Sequence, residues 1–222
     1  MIQQPPLALA VLASGHGSNF QAILDAVDRR DLDIDIRLCL SDREDAGALY
    51  RARAKGIPTA VIHPKSYADE EAYTRELLRL LEGHGCNFIA LAGYLKRIPT
   101  EVVRTYRGRI LNIHPALLPA FGGHGMYGRR VHEAVVEYGV HWTGATVHVV
   151  DEEYDTGPIV LQEPVPVYAD DTAESVAARV LDIEHRIYPE ALRLFSQGRV
   201  SIDGRKVRIL QPQETETSST DY

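Results

Sequence analysis

The sequence predicts an α/β protein with a Rossmann-like open sheet, parallel in its first half, extended by antiparallel strands in its second half and covered by helices on both faces. Two observations lead to this fold class. Over residues 1–100, apolar segments of strand length alternate with segments of helical periodicity, which is typical of a parallel sheet. Beyond residue 100 the β segments follow one another more closely, which favours antiparallel neighbours.

Four strands and three helices are predicted in the first half. The continuous apolar run 7–13 suits a central strand buried on both faces, and apolar residues then repeat at helical spacing over 20–27. Ser18 and Gln21 fit a capping box at the start of that helix. The other predicted strands are 34–40, 58–62 and 88–91, and the other predicted helices are 46–55 and 68–82.

The second half begins with a strand at 109–113, which Pro115 should end because a residue before proline is biased away from helix. A long helix is predicted over 172–195, and Pro189 should kink or interrupt it. The remaining predicted elements are a helix at 128–138, strands at 143–150 and 159–167, and a hairpin of 199–202 with 206–209 around Asp203-Gly204.

Composition indicates an ordinary globular protein. Of the 222 residues, 45% are hydrophobic and 25% are charged, which excludes wholesale disorder and coiled coil. With a net charge of −7, the protein lacks the positive electrostatic field that is typical of general nucleic-acid binders. No apolar run approaches the roughly 18 to 20 residues of a membrane helix, and no basic leader precedes the first strand. We therefore predict a cytoplasmic protein with no nucleic-acid or membrane partner.

One domain is predicted over 1–210, with a phosphate-binding half of about 1–100 and a catalytic half of about 101–210. The polar segment 211–222 is predicted to be a disordered tail. Cys39 and Cys86 lie in apolar strand contexts and are interpreted as core residues.

The segment SGHGSN, residues 14–19, joins the first strand to the first helix. Its glycines allow a tight turn and a close approach of a ligand to the backbone, and free N–H groups at a helix start suit a phosphate. It is neither a G-x-G-x-x-G nor a Walker loop, which argues against NAD or ATP. A plain strand-to-helix turn is an equal alternative.

Asn112 and His114 end the strand 109–113 and should share one face of it, because residues i and i+2 of a strand point the same way. An amide beside an imidazole can stabilise an oxyanion and move a proton. A carboxylate from the acidic segment 151–155 near His114 would raise its pKa. These residues taken alone favour a hydrogen-bonded pair at a strand end without catalytic function.

Two further features leave alternatives open. His141 and His148, with Asp151, could be imagined as metal ligands, but no ligand spacing supports a metal site and none is predicted. The glycine-rich segment 122–128 is either a lid or a simple connection.

Taken in order, five segments make the sequence resemble the phosphoribosylglycinamide formyltransferases of the folate-dependent formyltransferase superfamily. They are SGHGSN (14–19), LAGYLKRI (91–98), LNIHPALLP (111–119), GATVHVVDEEYDTGPI (144–159) and IEHRIYP (183–189), and the resemblance runs from about 7 to 210. It implies transfer of a formyl group from the co-substrate 10-formyltetrahydrofolate to the amine of glycinamide ribonucleotide, in purine biosynthesis and without a metal.

The resemblance also implies roles for individual residues. Asn112, His114 and Asp155 match the catalytic trio, and Asp155 is preferred to Asp151 because it stands two residues before Gly-Pro. Glu184 matches a carboxylate that binds the ribosyl group. The substrate phosphate is matched by Gly17, Ser18 and Asn19, and the folate by Leu95, Lys96, Arg97, Ile98, Asp151, Glu152, Glu153 and Tyr154.

The sequence departs from the family at Glu70, where many relatives carry an arginine that can meet the glutamate tail of folate; Arg97 or Arg75 could replace it. The loop at 122–128 is also longer than is common. A formyltetrahydrofolate hydrolase, another superfamily formyltransferase such as the methionyl-tRNA enzyme, and a non-catalytic nucleotide-binding regulatory module stay open as alternatives, and so does a homodimer.

Overall fold

The computed structural model of the chain describes residues 7–211. Its main strands are β1 (Ala8–Leu12), β2 (Asp35–Ser41), β3 (Thr59–Val61), β4 (Phe88–Leu91), β5 (Ile110–His114), β6 (Trp142–Val149) and β7 (Ile159–Pro166). They form one seven-stranded sheet in the order β3-β2-β1-β4-β5-β6-β7. The strands β1 to β5 pair in parallel, whereas β6 and β7 are antiparallel, so the predicted mixed sheet is confirmed.

Helices cover both faces of the sheet, as predicted. They are α1 (Ser18–Asp28), α2 (Gly47–Ala54), α3 (Glu70–Gly83), α4 (Thr100–Thr105), α5 (Arg129–Tyr138) and α6 (Ala173–Ser196). One buried apolar cluster joins α1, α2, α5 and α6 to the sheet, and a second joins α3 and α4 to the opposite face. Cys39 and Cys86 are buried free thiols within these clusters, which confirms their interpretation as core residues.

The predicted side-chain cap of α1 is wrong, and so is the predicted interruption of α6. Ser18 does not cap α1: the N-cap is Gly17, with φ of +74°, and no side chain caps the helix. The turn is set instead by packing, since a Cβ at Gly17 would lie 2.8 Å from Ala48 Cα in α2. Pro189 does not interrupt α6, which runs unbroken to Ser196 because ten buried residues hold it against the sheet, at the cost of one backbone hydrogen bond.

The short helix α4, the C-terminal hairpin and the predicted tail can also be compared with the sequence predictions. The helix α4 was not predicted, because six residues are too few to show a periodicity. The hairpin of β8 (Val200–Asp203) and β9 (Lys206–Ile209) is confirmed. Of the predicted tail, Gln211 is exposed and residues 212–222 lie outside the described residues.

The strand order creates a crevice at the carboxyl end of the sheet. The strand β1 lies between β2 and β4, so the chain leaves β1 toward one edge and later returns on its other side. Ligands of open α/β sheets bind at such a reversal point, outside the carboxyl ends of the strands. The loops that follow β1 and β4 meet there, where the Ser14 hydroxyl accepts a hydrogen bond from Leu95 N at 2.9 Å.

No helix within residues 7–211 is long and apolar enough to cross a membrane.

Candidate active site

A cavity of about 400 Å³ opens at this crevice and gathers most of the residues that the sequence singled out. Gly17 and Ser18 do not line it; Gly17 is buried against α2. Five of the seven residues 122–128 line it, so this segment faces the cavity and is more than a connection. The predicted residues in its wall are Asn19, Leu95, Lys96, Arg97, Ile98, Asn112, His114, Asp151, Glu152, Glu153, Tyr154, Asp155 and Glu184.

Asn112 lies in β5 directly opposite His148 of the antiparallel strand β6. Asn112 Nδ2 is 3.0 Å from His148 Nε2, and His148 Nδ1 is 3.2 Å from the Val149 carbonyl oxygen. A carbonyl oxygen only accepts, so this arrangement assigns the imidazole proton to Nδ1 and leaves Nε2 to accept from the amide. His148 thereby fixes the amide group, whose second N–H remains available to a ligand.

His114 is almost fully buried, and its two ring nitrogens have different neighbours. Nε2 lies 2.9 Å from the Phe121 carbonyl oxygen and therefore carries the proton of the neutral ring, while Nδ1 lies 3.6 Å from Asp155 Oδ2. The pKa of His114 is below its ordinary value, because burial disfavours the cation more than the Asp155 charge favours it. The predicted effect of a nearby carboxylate is confirmed, since Asp155 acts to raise the pKa of His114, but burial outweighs that effect.

Asp155 is held between both imidazoles. Its Oδ2 accepts a hydrogen bond from Gly123 N at 2.9 Å, and its Oδ1 lies 3.6 Å from His148 Nε2. Burial alone would raise the pKa of Asp155, but the effects of His148, His114 and the Gly123 N–H together lower it below its ordinary value, so the carboxylate is ionised at neutral pH. Its φ of +56° is rare for a residue other than glycine and marks a constrained backbone.

Asp151, the other carboxylate that the sequence offered, faces away from this cluster. Its Oδ1 accepts hydrogen bonds from Thr156 Oγ1 at 2.7 Å and from Glu153 N at 3.2 Å. The loop returns to the sheet at Gly157, where a Cβ would run into the Val149 carbonyl oxygen. Glycine at this position therefore lets the loop fold back closely enough to bring Asp155 to the histidines.

The start of α1 forms the other wall of the site. The backbone N–H groups of residues 18–20 belong to the first helical turn, which has no intrahelical acceptors for them. Asn19 Nδ2 donates to Glu184 Oε2 at 2.7 Å, and Asn19 Oδ1 is buried without a hydrogen-bond partner among the described residues. Burial raises the pKa of Glu184 to about 7, against the hydrogen bond from Asn19.

Two supporting residues were missed by the sequence reasoning. His148 was considered only as a metal ligand with His141. Its spacing of two residues from Thr146 in a predicted strand indicates that both side chains lie on one face of β6, opposite Asn112 and His114 of β5. Tyr188 is fully buried in α6, one helical turn after Glu184, and its hydroxyl bonds the carbonyl oxygens of Leu91 and Leu111 at 3.0 and 3.1 Å. It ties α6 to the ends of β4 and β5, and nothing local in the sequence indicates that contact.

The structure shows where Glu70, Arg75 and Arg97, the residues considered for the folate tail, lie relative to the cavity. Glu70 begins α3, and neither Glu70 nor Arg75 lines the cavity; Arg75 is paired with Glu71 one turn away. Arg97, in contrast, stands in the cavity wall. Within residues 7–211 no group of three or more His, Cys, Asp or Glu side chains is arranged to hold a metal ion.

The model of the formyl transferase family matches residues 7–192, and the chain belongs to that family. It is 44% identical over 205 residues to the chloroplastic phosphoribosylglycinamide formyltransferase of Arabidopsis thaliana, covering 91% of this chain and 70% of that protein. It is 38% identical over 194 residues to the Escherichia coli phosphoribosylglycinamide formyltransferase, covering 87% and 89%. The solved structure of glycinamide ribonucleotide transformylase 1 from Symbiobacterium toebii superposes with a TM-score of 0.88 at 42% identity, covering 94% and 96%.

Proposed function

We propose that this chain transfers a formyl group from 10-formyltetrahydrofolate to the amine of 5'-phosphoribosylglycinamide, a step of de novo purine biosynthesis. The observation that carries the proposal is that Asn112, His114 and Asp155 surround the same cavity as Asn19 and Glu184. Relatives at 44% and 38% identity over most of the chain bear the name of this activity.

Three groups of residues would hold the two substrates. The N–H groups at the start of α1, from Gly17, Ser18 and Asn19, suit the phosphate, and the helix dipole adds to their attraction. Glu184 is positioned to accept from the ribosyl hydroxyls, and the unpartnered Asn19 Oδ1 beside it is a second acceptor. The segments 95–98 and 151–154, which line the cavity on the other side, would bind the folate.

The residues of the trio match the needs of formyl transfer. Attack of the substrate amine on the formyl carbon creates an oxyanion, to which the free N–H of Asn112 donates. Because burial keeps His114 neutral, its Nδ1 takes the proton that the amine must lose. Asp155 stabilises the resulting imidazolium, and His114 can return the proton to the leaving folate nitrogen. The substrate supplies the nucleophile, and no step of this scheme needs a metal ion.

The test is an assay of the folate absorbance change with and without 5'-phosphoribosylglycinamide. We expect formyl transfer that depends on the ribonucleotide and yields one formylated product per folate consumed. Release of formate without the amine would support the hydrolase alternative instead. Binding of the ribonucleotide with no turnover would support a nucleotide-binding module.

Two further parts of the proposal concern the cellular location and the oligomeric state of the protein. A cytoplasmic location is retained from the sequence, and fractionation of the source cells tests it. The homodimer also stays a prediction, which light scattering over a range of protein concentrations tests.

A further inference from the structure

The helix α2 holds the turn between β1 and α1 from outside. Ala48 N donates to the Gly15 carbonyl oxygen at 3.3 Å, and Arg51 Nε donates to the His16 carbonyl oxygen at 3.0 Å. The helix also packs closely on the backbone of the turn, since a Cβ at Gly47 would lie 2.7 Å from the His16 carbonyl oxygen. Two successive carbonyl groups of the turn are therefore directed toward α2.

The direction of these carbonyl groups determines the direction of the N–H groups that follow them. Both peptide units are trans, and in a planar trans peptide the C=O and the N–H point in opposite directions. Because the carbonyl groups of Gly15 and His16 face α2, the N–H groups of His16 and Gly17 point away from it. Successive N–H groups on one side form a concavity that attracts an anion, and here they precede the N–H groups at the start of α1.

Arg51 also joins this turn to the first turn of α1. Its Nη1 donates to Gln21 Oε1 at 2.6 Å, and Gln21 Nε2 donates in turn to Asp25 Oδ1 at 2.7 Å. A guanidinium is a rigid planar fork, so one side chain fixes the turn and the helix relative to each other. That restraint matters because Gly15 and Gly17 flank the turn, and glycine leaves the backbone more conformational freedom than any other residue.

We propose that Arg51 is a positioning residue for the substrate phosphate, because it holds the His16 carbonyl group so that the Gly17 N–H faces the phosphate. The inference rests on the proposed function, in which the phosphate of the ribonucleotide binds at the start of α1. Arg51 acts through the backbone of the turn and does not touch the reacting atoms. Its loss should therefore weaken binding of the ribonucleotide in the ground state and the transition state alike, which raises KM and leaves kcat unchanged.

The experiment compares KM for 5'-phosphoribosylglycinamide with KM for ribosylglycinamide, which lacks the phosphate. Both are measured for the wild type, Arg51→Ala, Arg51→Lys and the matched control Arg53→Ala, an exposed arginine of the same helix that lies over the Tyr50 ring. We expect the phosphate to lower KM in the wild type, and Arg51→Ala to reduce that advantage about tenfold, as suits a hydrogen bond from a charged group. Its kcat and its KM for the folate should stay within about twofold, and Arg53→Ala should keep the whole advantage.

Arg51→Lys separates positioning from charge. Lysine keeps the charge but lacks the planar fork, so we expect it to lose most of the phosphate advantage, and the loss should persist at high salt. Full restoration by lysine, with a loss in Arg51→Ala that disappears at high salt, would show an effect of charge alone and would overturn the inference.

An advantage that persists in Arg51→Ala, or that falls equally in Arg53→Ala, also overturns it. Calorimetry of 5'-phosphoribosylglycinamide and ribose 5-phosphate separates this failure from failure of the proposed function. If the wild type binds the ribonucleotide but transfers no formyl group, the proposed function fails, and the Kd values of the same four proteins decide on Arg51. If the wild type binds neither compound, both fail.

Discussion

Replacing Asp155 by asparagine keeps the shape of the side chain and removes its charge. Asp155 Oδ2 lies 3.6 Å from His114 Nδ1. At that distance and an effective dielectric constant of about 20, a carboxylate and an imidazolium attract each other by roughly 4 to 5 kcal/mol. The cost of burying the charge offsets part of this, so we expect kcat to fall about 10²- to 10³-fold, a typical loss for a transition-state interaction. The KM values should change by less than about threefold.

The pH dependence gives an independent readout of the same substitution. Burial lowers the pKa of His114 and Asp155 partly restores it, so loss of the Asp155 charge lowers this pKa further. If neutral His114 is the base, kcat/KM rises with pH through its pKa and then levels off. In Asp155→Asn this rise should therefore move to lower pH while the plateau falls.

Asp151→Asn is the matched control, because an amide oxygen can accept the same bonds from Thr156 and Glu153 N. Its kcat should stay within about threefold of the wild type, since Asp151 takes no part in the transition state. Asparagine tolerates the left-handed backbone at position 155, so both variants should fold, which circular dichroism checks. A crippled Asp151→Asn beside an active Asp155→Asn would refute the assignment of the carboxylate.

Four other outcomes are expected. Gly17→Val, strained at φ +74° and pressed against Ala48, should weaken ribonucleotide affinity by more than about tenfold and folate affinity less; equal losses in calorimetry would contradict this. The pKa of Glu184 is about 7 in the folded protein, above its value of about 4.5 in the unfolded chain, so the folded state binds the proton more tightly. The free energy of unfolding should therefore fall by up to about 3 kcal/mol as the pH rises from about 4.5 through 7. Urea unfolding should show that slope in the wild type and lose it in Glu184→Gln. Tyr188→Phe removes the two bonds of its hydroxyl and should cost about 1 to 3 kcal/mol of unfolding free energy, with Tyr127→Phe at the cavity rim costing little. Deletion of residues 211–222 should leave kcat within about twofold, and loss of soluble protein would contradict it.

The sequence was informative where a local rule decides the structure. The apolar run 7–13 and the alternation of strands with helices predicted the parallel half of the sheet, since such strands are buried on both faces. The two-residue period of a strand likewise predicted that Asn112 and His114 share a face, and both line the cavity.

The features that were missed depend on contacts between distant segments. His148 reaches Asn112 only through the antiparallel register of β5 and β6, which periodicity within either strand does not specify. Glycine is required at position 17 because α2 packs closely against it. The sequence alone suggested a side-chain cap by Ser18 instead, which the structure does not have. The direction of the His114 pKa shift depends on the depth of burial, which no spacing of charges reveals.

The antiparallel end of the sheet explains how a binding crevice acquires acid–base chemistry. The strand β5 brings Asn112 and His114 to the crevice at its carboxyl end, and its antiparallel neighbour β6 adds side chains directly opposite both of them. A hairpin connection also needs no long crossover, so residues 150–158 stay beside the sheet and fold Asp155 onto both imidazoles. In the function that we propose, the first half of the chain supplies the helix start that holds a phosphate. The reversal of strand direction at β6 supplies the fixed amide and the paired carboxylate that formyl transfer requires.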